Sequence, residues 1–102
     1  MKLSVLERVL LSNILPVKGS FMNLKLLRVA REDLSFSDKE NKLLNLRQEK
    51  NQVLWNEPKP PLVKNIEFGE VATEMIKKAL IDLDKKEDLS ADLLTIYEKF
   101  IT

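Results

Sequence analysis

Hydrophobic residues recur at helical spacing over most of the chain. Ser4 and Glu7 form the capping pattern S-x-x-E ahead of an apolar run, which predicts a helix over about 5–14. At 100° per residue, Ser4, Arg8 and Ser12 fall on one polar strip with Glu7 and Leu11 beside it. Leu3, Val5, Leu6, Val9, Leu10 and Ile14 occupy the rest of the circumference. A helix this apolar must be central in the fold or shared with a second chain. Pro16 ends it, and Lys18-Gly19-Ser20 makes a turn. Ser20 caps a second helix, about 21–34, with Met22, Leu26, Leu27, Val29, Ala30 and Leu34 on one side. Ser37 with Glu40 repeats the capping pattern and opens a third, weakly amphipathic helix over about 38–50.

After Asn51 the period changes from helical to alternating. Val53 and Trp55 share one side of a short strand, and Ile66 and Phe68 share one side of another. The intervening Pro58-Lys59-Pro60-Pro61 is restricted to extended backbone, so the two strands read as a hairpin around a proline loop. Gly69 leads into a long helix of about 70–87 with Val71, Ala72, Met75, Ile76, Ala79, Leu80 and Leu83 on its inner half. Ser90 starts a last helix over about 91–101, with Leu89 and Leu94 placed as a hydrophobic staple. The expected fold is mainly α within the α+β class, a helical bundle with one small β-hairpin in the order ααα-ββ-αα. It forms a single domain over residues 1–102, since 102 residues support one modest core.

Composition narrows the chemistry. The chain has no cysteine and no histidine, so thiol nucleophiles, imidazole bases, disulfides and the usual zinc ligands are excluded. The two glycines form no phosphate-cradling loop. The adjacent acids Glu32-Asp33 and Glu87-Asp88 lie near helix ends, and Asp82 and Asp84, two apart on a helix, diverge by about 200°. No catalytic, cofactor-binding or metal-binding residue is expected, and the chain reads as non-enzymatic. Net charge is +1, with residues 1–52 at +4 and residues 53–102 at −3. That asymmetry could pair copies or steer a partner. No run is long and apolar enough for a membrane span, and no cleavage site follows the first helix, which predicts a cytoplasmic protein.

Two sets of residues remain as candidates. Lys25, Arg28 and Arg31 recur every third position on the second helix, with Lys18 just before it, and could form a nucleic-acid face. The helix offers few side chains suited to reading base edges there, so a solvated basic face competes with that reading. Leu11, Trp55 and Ile81 are the candidate interface residues: Leu11 on the polar side of the first helix, Trp55 on the hairpin, Ile81 outside the apolar arc of the long helix. The wide apolar arc of the first helix, Ile81 and the hairpin edges together predict a homodimer.

The segments Leu6-Glu7-Arg8, Asn13-Ile14-Leu15-Pro16, Arg31-Glu32-x-Leu34-Ser35-Phe36-Ser37, Ile66-Glu67-x-Gly69-Glu70 and Tyr97-Glu98-Lys99-Phe100, with Trp55, resemble short proteins encoded by bacteriophages and prophages. The resemblance implies a bacterial-cytoplasm setting and an accessory or assembly role. It carries over no catalytic residue.

Overall fold

The computed structural model describes residues 1–102. It is a mainly helical α+β fold with five α-helices and two small antiparallel sheets. In chain order these are β1 (Lys2–Ser4), α1 (Val5–Ile14), α2 (Phe21–Leu34), α3 (Asp38–Leu44), β2 (Arg47–Glu49), β3 (Gln52–Leu54), β4 (Val63–Asn65), α4 (Glu70–Lys85), a 3-10 turn at Ala91–Leu93, and α5 (Leu94–Ile101).

α1 and α2 span the expected residues, for the expected local reasons. Ser4 Oγ accepts from the Glu7 amide while Glu7 Oε1 accepts from the Ser4 amide, closing the capping box. Ser20 Oγ accepts from the Asn23 amide at 3.1 Å. α1 is the central element, packed by α2, α4, α5 and the 3-10 turn. Leu11, Leu27, Leu34, Ile76, Leu80 and Ile96 meet around it, all essentially inaccessible to water.

Four expectations need correction. The third helix stops at Leu44 rather than near 50, because Asn45 takes a left-handed conformation (φ 51°) that ends the helix. The single hairpin around the proline loop is not formed. Val53 pairs instead with Gln48 across the two-residue turn Lys50-Asn51, both at positive φ. Closing a two-residue turn costs less chain entropy than closing a loop across the prolines. The segment after the prolines pairs with the N-terminal strand, with Leu3 opposite Lys64 and Lys2 opposite Asn65. Strands this far apart in the chain leave no local sequence signature of their pairing. α4 ends at Lys85, two residues short, and the last helix opens as a 3-10 turn. Ser90 makes no side-chain cap, and Leu94 lies largely exposed rather than buried as half of a staple.

The fourth correction concerns α1. The charged residues on its polar side are buried, with Glu7 6% exposed and Arg8 1%, and Leu11 beside them is 0% exposed. Leu11, expected at an interface, is a core residue. The neighbouring elements pair the charged groups on the strip, so most of α1 is covered within one chain, with Leu6 left 39% exposed.

Candidate functional site

Two charged nodes close α1 into the fold. Arg8 donates from Nη1 to Glu40 Oε2 (2.8 Å) and from Nη2 to Glu40 Oε1 (3.2 Å), a two-pronged pair. Its Nε donates to the Leu34 carbonyl and its Nη2 to the Ser35 carbonyl, at the end of α2. The guanidinium also lies 3.9 Å from the centre of the Phe36 ring. The Arg8 hydrogen bonds hold the Glu40 carboxyl down at about 2, against the opposing effect of burial. Burial would raise the Glu7 carboxyl, but Lys99, the Ser4 amide and the Thr95 hydroxyl outweigh it and hold it below its ordinary value. Lys99 Nζ lies 2.7 Å from Glu7 Oε1, and Thr95 donates to Glu7 Oε2 at 2.9 Å. These acids are fully occupied by structural partners, and no group of three acidic side chains is placed to hold a metal ion.

The basic face is divided. Lys25 and Arg28 are exposed, and Lys18 sits at a shallow groove between the α2 start and α4. Arg31 turns away from that face. Its Nη2 donates to the Pro16 carbonyl at 2.7 Å and to the Leu15 carbonyl at 3.4 Å, satisfying backbone at the end of α1. The three candidate interface residues do not come together. Leu11 is buried, Ile81 is 37% exposed on α4, and Trp55 is half-buried with its indole N–H donating to Glu57 at 2.9 Å.

The surface that stands out lies on α2. Phe21, Met22 and Val29 are 76%, 60% and 52% exposed, and Leu26 is 37% exposed. Met22, Leu26 and Val29 follow the i, i+4, i+7 spacing of one helical stripe. Leu26 and Val29 line a groove of about 320 Å³ against α4, where Val71 is also exposed. Asp33, Glu67 and Glu70 rim this groove. The sequence reading assigned Met22, Leu26 and Val29 to the core, because they adjoin the buried Leu27, Ala30 and Leu34 on the wheel. The signal that could have separated them is arc width: the apolar side of α2 spans about 160° from Val29 round to Leu27, more than its neighbours cover.

A second, larger cleft of about 420 Å³ lies between α1, the α2 end and the β2–β3 hairpin, with Arg31 and Arg47 on its rim. No helix is long and apolar enough to cross a membrane. No known protein family, curated protein or solved structure matches this chain.

Proposed function

We propose that this protein is a non-enzymatic accessory or assembly factor that works by protein–protein contact and self-associates. The setting is the bacterial cytoplasm implied by its resemblance to phage-encoded proteins. One observation carries this reading: the uncovered apolar stripe of α2, on a helix whose Leu27, Ala30 and Leu34 are buried on the opposite edge of the same apolar side. Contiguous apolar surface of this kind on a small domain marks a contact site. Most of α1, whose wide apolar arc first suggests a dimer, is covered internally, and of that arc only Leu6 is left exposed. Sedimentation equilibrium across a wide concentration range tests the reading. A mass rising toward twice the chain mass is the expected result; a constant monomer mass overturns it.

A second reading, a small DNA-binding regulator using α2, is favoured by the exposure of Lys25 and Arg28. The withdrawal of Arg31 into backbone contacts weakens it, leaving two cations on the helix face where three were expected. Salt-sensitive retention of a duplex probe, lost in a Lys25→Ala, Arg28→Ala double variant, would establish it over the first.

A further inference from the structure

We propose that the chain pairs with a second copy of itself through α2, packed antiparallel about a twofold axis passing close to Leu26 and Val29. This rests on the self-association reading and adds the surface, the orientation and the charge pairs.

The area fits. Phe21, Met22, Leu26, Val29 and Val71 together expose on the order of 500 Å² of apolar side chain, close to the roughly 60% apolar share of an ~800 Å² contribution per partner. The charge pattern then sets the direction. Lys25 lies in the N-terminal half of α2 and Glu32 and Asp33 at its C-terminal end, with Arg28 between them and Arg31 turned away onto the Leu15 and Pro16 carbonyls. Glu67 and Glu70 extend the acidic end along the groove. The ion pairs within the chain are Arg8–Glu40, Arg47–Glu49, Lys77–Glu74 and Lys99–Glu7, so none of these charges is neutralised internally. A parallel pairing would set like charge against like. An antiparallel pairing sets the basic end of each α2 against the acidic end of the other, and it also opposes the helix dipoles.

Helical geometry supports the same arrangement. Met22, Leu26, Val29 and Asp33 lie along one line of the helix, while Lys25 and Glu32 share the flank facing away from Ala30. A twofold axis perpendicular to α2 keeps each flank on its own side. The flank bearing Lys25 and Glu32 therefore meets its own reverse, and Lys25 of one copy reaches Glu32 of the other. The contact is self-complementary and closes at two copies rather than propagating.

Sedimentation equilibrium of variants at low salt tests this, with circular dichroism confirming that each retains its helices. Met22→Glu and Val29→Glu replace exposed side chains and should abolish the dimer. Lys25→Glu alone and Glu32→Lys alone should each weaken it by roughly ten-fold, through like-charge contact at two symmetric places. The double variant, Lys25→Glu with Glu32→Lys, should restore it to near the original affinity. A wild-type protein that stays monomeric overturns both this inference and the self-association reading. A dimer indifferent to Met22→Glu and Val29→Glu overturns the α2 surface alone. A dimer lost with those two but not rescued by the double charge exchange overturns the antiparallel register.

Discussion

Arg8 shows why a residue type read as solvated can be the best-buried polar group in a fold. An arginine on the polar strip of an apolar helix is ordinarily exposed. Here the α2 end and α3 supply two carbonyls, a carboxylate and an aromatic ring around it. Removing the arginine leaves the Leu34 and Ser35 carbonyls and the partly exposed Glu40 carboxylate without their donor, at a cost of about 1–3 kcal/mol. Arg8→Met should therefore lower the urea midpoint sharply, and Arg8→Lys should recover only part of the loss, because an ammonium cannot reproduce the planar fork. Acid stability follows from the same node. Glu40 has a folded value of about 2, below its unfolded 4.5, and Glu7 is shifted in the same direction. Their contribution is complete above the unfolded value and is lost as pH falls from about 5 toward 2. Thermal unfolding followed across that window should show a falling midpoint. In Glu40→Gln the acid slope should be shallower and the stability at neutral pH lower, by about 1–2 kcal/mol once solvent screening of the partly exposed carboxylate is allowed for.

Among the elements, what local chemistry determines was legible and what distant pairing determines was not. The boundaries of α1 and α2 follow from Ser4, Glu7 and Ser20, which act within one helical turn. The end of α3 depends on Asn45 alone, and an asparagine does not announce whether it will turn left-handed. The β2–β3 turn was overlooked because Lys50-Asn51 is a poor version of its own type. Both residues stand at positive φ, where asparagine then glycine are favoured. Lys50→Asn with Asn51→Gly should therefore stabilise the protein, by about 0.5–1 kcal/mol, readable as a raised denaturation midpoint without loss of helix signal. The α2 contact surface was hidden for a different reason. Periodicity reports which side of a helix is apolar, but not how much of that side its neighbours will cover.

For the whole molecule, the charge asymmetry between the halves of the sequence matters less than where single cations end up. Of the four residues proposed for a nucleic-acid face, Arg31 is tied to the end of α1 and Lys18 lies apart from the helix face, at the groove beside α4. Duplex DNA should accordingly bind no tighter than about 1 μM at physiological salt, measured by anisotropy of a labelled probe, with a shallow salt dependence.

β1 lies beside β4, and Lys99 of α5 donates to the Lys2 carbonyl and to Glu7 at the first turn of α1. The first strand and helix of the fold are therefore completed by its last helix. α1 has α2 but not the rest of its cover against it until β4, α4 and α5 are in place, so the domain folds as a unit rather than segment by segment. A truncated chain of residues 1–62 should be unfolded or aggregated. Supplying residues 63–102 as a separate peptide should recover helical signal and solubility, since every contact the first piece lacks is carried by the second.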